Sequence, residues 1–263
     1  MTPELLQEYI KFCKIREKAE RTNIIDLSSC SWFYPTSLLP LADFLRDNKS
    51  SMEYISPLSS VQSYISTVTK KSYSKGATYV PIINLPQDKN QANEIIDILQ
   101  NLHNNGKDYG GRDAFTYLVA ELIDNVYQHS EFSNACVMAQ RYERKGFVEI
   151  TIFDNGISIP ISFENARHRF SYDCYAIVDA LNGKSTKNDV ERGYGLRSLV
   201  SLYVKGIGGE LLLVSRNGAV YKKKSEEKCY NIEGTYRLAG TLVSIRIRYP
   251  APVVDDIYSY IED

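Results

Sequence analysis

Residues 114–130 read AFTYLVAELIDNVYQHS, and the fold turns on how that stretch is read. Its pattern predicts one long helix with Glu121, Asn125 and His129 at i, i+4 and i+8. Each step of four drifts only about 40° around a helix, so the three share one stripe. Leu118, Leu122 and Val126 give the helix an apolar flank beside that stripe. An acid and amide stripe next to an apolar one is either a solvated face or the wall of a site. The stretch alone leaves both open.

Three glycine signals follow in a fixed order. Residues 147–160, FVEITIFDNGISIP, form an alternating strand running into Asp154-Asn155-Gly156. Residues 192–196, RGYGL, open a second helical run, and Gly240-Thr241 opens the last alternating strand, LVSIRIRYP. Each signal alone is a common turn. The series of acid and amide helix, strand with Asp-x-Gly, Gly-x-Gly before a helix, and Gly-Thr before a strand is more specific. It resembles the ATP-binding domain of the GHKL superfamily, which includes gyrase, Hsp-type chaperones, histidine kinases and mismatch-repair ATPases. The resemblance spans residues 90–250.

What the resemblance implies is a site for ATP and Mg2+. Asn125 matches the magnesium ligand, and Glu121 matches the general base of members that hydrolyse ATP or phosphorylate a serine. Magnesium takes oxygen ligands and keeps several waters, so one amide oxygen beside phosphate oxygens suffices. A carboxylate one turn away can take a proton from water or a hydroxyl. Asp154 matches the residue that accepts from the adenine amino group, with Gly156 letting the backbone pass the base. Ser158 stands where the family pattern has a second glycine. Thr241 would add a hydroxyl on the adenine side. Gly193, Gly195 and Leu196 open a helix whose free N–H groups suit an anion. Residues 161–191 have the place and length of the lid, and Lys184, Thr186 and Lys187 resemble its Ser/Thr-Lys element. His129 is read as a phosphate-side contact or as a satisfied, partly buried histidine.

The formal net charge of −1 gives no basic field for nucleic acid or an anionic membrane. No apolar run reaches the ~18 residues of a spanning helix, and the charged, amphipathic residues 1–20 do not read as a signal peptide. Cys13, Cys30, Cys136, Cys174 and Cys229 are odd in number and scattered. They indicate neither a zinc site nor a disulfide framework and fit a reducing cytoplasm.

Before residue 86 the pattern alternates helix and strand, with a helix over 1–20 and strand-like runs at 23–34, 52–56 and 78–85. Pro81 makes the last of these an edge or bulged strand. The piece IIDLSSCSWFYPTSLLPLADFL resembles the central strand, loop and helix of STAS domains. That family can accept a phosphate just before the helix, where Thr36 and Ser37 stand; helix capping by either hydroxyl is the alternative. The expected architecture is a STAS-like α/β region over 1–86 and a GHKL-type two-layer α/β sandwich with a mixed sheet over 87–263.

Two function classes remain open. One is an ATP-binding regulatory enzyme in signalling, an ATPase or a Ser/Thr kinase of the anti-sigma-factor kind, acting on a protein partner as monomer or homodimer. The other is a module whose ATP-dependent lid sets its affinity for a partner. A histidine kinase is not expected, since neither His103 nor His168 sits on a long helix. A chaperone or topoisomerase is not expected either, since no transducer domain follows.

Overall fold

In the computed structural model, which describes residues 2–69, 78–102, 104–186 and 195–261, the chain opens with α1 (Glu4–Thr22), β1 (Ile24–Asp26), α2 (Pro35–Asn48), β2 (Glu53–Ile55) and α3 (Ser59–Val68). Next come β3 (Tyr79–Asn84), α4 (Ala92–Leu102), α5 (Arg112–His129), β4 (Ala135–Tyr142), β5 (Phe147–Asp154), α6 (Ile159–Asn165) and α7 (Asp173–Leu181). α8 (Gly195–Leu199) continues into a π-helical turn, Val200–Gly206. β6 (Glu210–Arg216), β7 (Gly218–Lys223), β8 (Glu226–Asn231), β9 (Leu238–Arg248) and α9 (Tyr258–Ile261) complete it.

Seven strands form one sheet in the order β3-β4-β5-β9-β6-β7-β8, while β1 and β2 pair in parallel by themselves. Every pairing in the large sheet is antiparallel, which corrects the expectation of a mixed sheet. β3 lies at the edge, and its register shifts between Val80 and Ile83, around Pro81. Proline cannot donate to a ladder, so an edge position with a bulge accommodates it.

Side chains of a strand alternate between faces, and here both faces are buried. Ile150 and Ile152 of β5, with Val243 and Ile245 of β9, share a core with Leu118, Leu122 and Val126 of α5. Phe153, Leu242, Leu212 and Met138 point the other way, into a core with Leu5 and Tyr9 of α1 and Leu38 and Leu41 of α2. The chain is therefore an α/β sandwich, as expected, with a second helical layer from the N-terminal residues. β3 also lies within residues 1–86 and pairs with β4 of the large sheet.

A polar cluster sits inside that second interface. Glu149 of β5 is fully buried. Its Oε1 accepts from the backbone N–H of Thr36 at 3.0 Å and from the Thr36 hydroxyl at 2.7 Å. Its Oε2 accepts from Arg246 Nε and Nη2 at 3.1 and 2.8 Å. The sheet thus supplies the carboxylate for the free N–H groups that open α2. This corrects the capping expectation. The N-cap position is Tyr34, with Pro35 after it and no side-chain cap. Thr36 and Ser37 are both fully buried, Ser37 donating to Glu8 at 2.9 Å, so neither hydroxyl is open to a phosphate donor in this fold.

The cysteine expectation is also corrected. Cys174 at the start of α7 is bonded to Cys229 on β8, 55 residues apart in sequence, while Cys13, Cys30 and Cys136 are buried thiols. No helix among the described residues is long and apolar enough to cross a membrane.

Candidate functional site

α5 and the ends of β5 and β9 enclose a cavity of about 110 Å³. Leu122, Val126, Ile152, Ile157, Phe163 and Val243 give it apolar walls. The polar groups converging on it include Asn125, Asp154, Thr186 and Thr241, four residues that the sequence pattern singles out. Gly195, Leu196 and Lys184 also line it.

Asp154 is the last residue of β5 and is only 4% exposed. Its Oδ1 accepts from the Gly156 backbone N–H at 3.0 Å. Burial pushes its carboxyl from 3.8 up to about 7, against the pull of backbone donors at Gly156 and Thr241. Thr241 faces Asp154 across the β5–β9 ladder, and its hydroxyl lies 3.0 Å from that of Ser215.

Two glycines let the backbone close around this carboxyl. A Cβ on Gly156 would lie 1.8 Å from the Ser130 carbonyl oxygen, and one on Gly240 would lie 1.9 Å from that of Asp154. Gly240 also has φ +85, a conformation that side chains other than glycine's adopt at a cost. Ser158 needs no such freedom. It has φ −80 and caps α6, accepting from Ile161 N–H at 3.4 Å.

On α5, Asn125 Nδ2 donates to the Glu121 backbone carbonyl at 2.7 Å. That bond assigns the amide orientation and leaves Oδ1 as the outward acceptor. Both side chains face the opening of α8. A Cβ on Gly195 would sit 3.3 Å from Glu121 Oε2 and 3.6 Å from Asn125 Oδ1. Burial raises the Glu121 carboxyl above its ordinary range, with Asp124 adding to it and the Tyr117 hydroxyl opposing. Among the described residues no three His, Cys, Asp or Glu side chains gather, so a metal here would draw its remaining ligands from a bound molecule and water.

The lid residues divide. Thr186 Oγ1 lies 3.1 Å from Ser162 Oγ of α6. The Lys184 ammonium is paired with Asp179 at 2.7 Å and is largely exposed. His129 lines the cavity. Lys187 and Gly193 lie outside the described residues, as does His103.

Sequence reasoning missed Ser130. It is 3% exposed, lines the cavity, and its hydroxyl has no hydrogen-bond partner among the described residues. A buried hydroxyl without a partner costs ~1–3 kcal/mol. Its place directly after the Glu121-Asn125-His129 stripe is the signal that could have marked it.

No family model and no curated relative matches the chain. Among solved structures, the ATPase and transducer domains of DNA topoisomerase II from Balamuthia mandrillaris are similar at 16% identity with a TM-score of 0.24. That match covers 44% of this chain, and the chain spans 34% of the topoisomerase one. A likeness that slight identifies no family and assigns no activity.

Proposed function

We propose that the cavity holds the adenine end of ATP, and that the chain is an ATP-binding regulatory protein of GHKL type. The observation that carries this reading is one apolar-walled cavity lined by both the buried carboxyl of Asp154 and the Ser130 hydroxyl, which has no partner among the described residues. A site made that way is apolar with a few placed polar groups, as small-molecule sites are. Asp154 would accept from an exocyclic amine, and Ser130 would gain the partner it lacks. Gly156 and Gly240 let backbone close tightly around the Asp154 loop and so fix where that carboxyl sits.

Asn125 Oδ1 would serve as the Mg2+ ligand, at the opening of α8 where Gly195 and Leu196 would meet phosphate. Bound there with its triphosphate, the metal would neutralise phosphate charge. Glu121 would hold or take a proton on the same side. All these groups come from residues 87–263, which we assign as the nucleotide unit, with 1–86 as a STAS-like region laid over its sheet. The activity proposed is ATPase or Ser/Thr protein kinase in cytoplasmic signalling.

A second reading has its own observation. Lys184 is held by Asp179 while Thr186 meets Ser162, so the two ends of the described part of the lid, residues 161–186, are tied to each other and to α7 within it. That arrangement suits a non-catalytic module that reports ATP to a protein partner through lid position. Incubation of the pure protein with labelled ATP and magnesium, alone and with candidate partners, separates the two. Released phosphate or a labelled partner supports the enzyme. Bound but unchanged ATP supports the module, and no bound ATP contradicts both.

A further inference from the structure

Arg197 follows directly on the pair that lines the nucleotide cavity, Gly195 and Leu196, yet it borders a different one. Arg197, Ser201 and Lys205 stand at intervals of four along α8 and the π-helical turn. They line a second cavity of about 430 Å³, with Lys224 from the β7–β8 turn and Ser259 and Tyr260 of α9. Among the described residues the two cavities share no lining residue.

Three features set this cavity apart from an ordinary solvated face. First, among the described residues it collects three cations and no acid. Among the described residues none of the three makes an ion pair, because the acids of the same hairpin are engaged elsewhere: Glu227 with Lys222, and Glu226 with Lys228. Like charges brought together without a counterion repel, and the chain as a whole is near neutral at −1. Second, the backbone is shaped to form it. A Cβ on Gly206 would meet the Tyr260 ring at 2.6 Å, so the ring packs directly on bare backbone there and would have to shift for any side chain. Third, Ser201 and Lys205 lie on the π-helical turn, a rare winding that is frequent at functional sites.

The donor set defines the ligand. The Ser259 hydroxyl is spent on the Asp256 carbonyl at 2.9 Å, which leaves the hydroxyls of Ser201 and Tyr260 as donors. One guanidinium, two ammonium groups and two hydroxyls match a phosphoryl group, which carries up to two charges and three acceptor oxygens. A carboxylate would use only part of that set. The near-neutral chain has no wider basic field to follow a nucleic acid backbone.

We propose that this cavity binds a small phosphorylated molecule, its phosphoryl group held by Arg197, Lys205, Lys224 and the Ser201 hydroxyl, with the Tyr260 ring as a side wall. The site stands apart from the nucleotide reading and does not rest on it.

The test is calorimetric titration of the full chain, near physiological salt, with pyrophosphate and with a hexose phosphate as probes. The expected result is saturable binding of at least one probe. The Lys205→Gln/Lys224→Gln double variant should weaken it by about tenfold or more. Both lysines are exposed, so the variant should keep its melting temperature. Lys223→Gln, an equal charge change at an exposed position outside the cavity, should leave binding as it was. So should Asp154→Asn in the nucleotide cavity. Tighter hexose phosphate would assign an organic phosphate, and tighter pyrophosphate an inorganic one. Absence of binding by both probes overturns the proposal. So does an equal loss in Lys223→Gln, or loss in Asp154→Asn alone. Should the double variant melt early, 31P line broadening of the probe with Ser201→Ala, a smaller change, decides by the same criteria.

Discussion

A Cβ on Gly156 would lie 1.8 Å from the carbonyl oxygen of Ser130, which already accepts the Ile157 N–H at 2.5 Å. The end of α5 and the loop after β5 are in direct backbone contact there, and both border the cavity. Gly156→Ala must push them apart. Overpacking of this kind costs ~1–3 kcal/mol, and here it moves Ser130 and Asp154 as well. The expected outcome is a lower melting temperature and loss of any nucleotide-induced melting shift. An unchanged melting curve would show that the loop yields freely and that the contact does not shape the site.

Glu121→Gln should leave ATP affinity within about twofold and abolish turnover, because the amide keeps the shape but cannot take a proton. Asn125→Ala should weaken binding more with magnesium present than without it. Calorimetry and phosphate release measure the two. Unchanged turnover in Glu121→Gln removes it as the base. Equal losses with and without magnesium reduce Asn125 to packing.

Glu149→Ala removes the carboxylate between Arg246 and the opening of α2. Breaking a buried pair from one side typically costs ~3–5 kcal/mol. Arg246 keeps Glu4 at 2.9 Å, so the loss should fall toward the lower end, ~3 kcal/mol. Chemical denaturation gives the value. A loss of a few tenths would mean that the cluster does not hold the N-terminal layer to the sheet.

That cluster also marks where sequence reading stopped. Glu149, Thr151, Ser244 and Arg246 alternate with apolar residues on β5 and β9, the pattern of a sheet with one wet face. They are buried because each finds a partner across the layer or across the strand. Pairing over about a hundred residues of chain leaves no local mark. Cys174 and Cys229 are missed for the same reason, being joined through α7 and β8. β4, β8 and α6 had no distinct signal. What was legible was local. Glu121 and Asn125 share a helix stripe, Pro81 marks an edge, and Asp154 to Gly156 end a strand beside Gly240. Hence Asn125, Asp154, Thr241 and Lys184 were named together and line one cavity, Lys184 while paired with Asp179.

The raised carboxyl of Asp154 sets a pH dependence with a definite sign. Its folded pKa, about 7, lies above the ordinary 3.8. The folded chain therefore keeps a proton that the unfolded chain has released. Stability from this group falls as pH rises from about 4 to about 7 and is level above that. Asp154→Asn should remove that slope in nucleotide-free protein. ATP binding should behave oppositely, since the ionised carboxylate accepts the amine bond more strongly. Affinity should rise between about pH 6 and about pH 8 in the unsubstituted protein, while the much weaker binding of Asp154→Asn should not rise with it. Calorimetry across that range checks it, and a flat profile in both proteins would take Asp154 out of the binding site.

The most direct measurement is the melting shift produced by ATP, ADP and GTP on the unsubstituted protein and on Asp154→Asn. GTP presents a carbonyl where ATP presents an amine, and a buried group left without its partner costs ~1–3 kcal/mol, more when charged. The account predicts that ATP and ADP raise the melting temperature, that GTP at the same concentration does not, and that Asp154→Asn folds but loses the ATP shift. Equal shifts from ATP and GTP in the unsubstituted protein, or an ATP shift that survives Asp154→Asn intact, would contradict it.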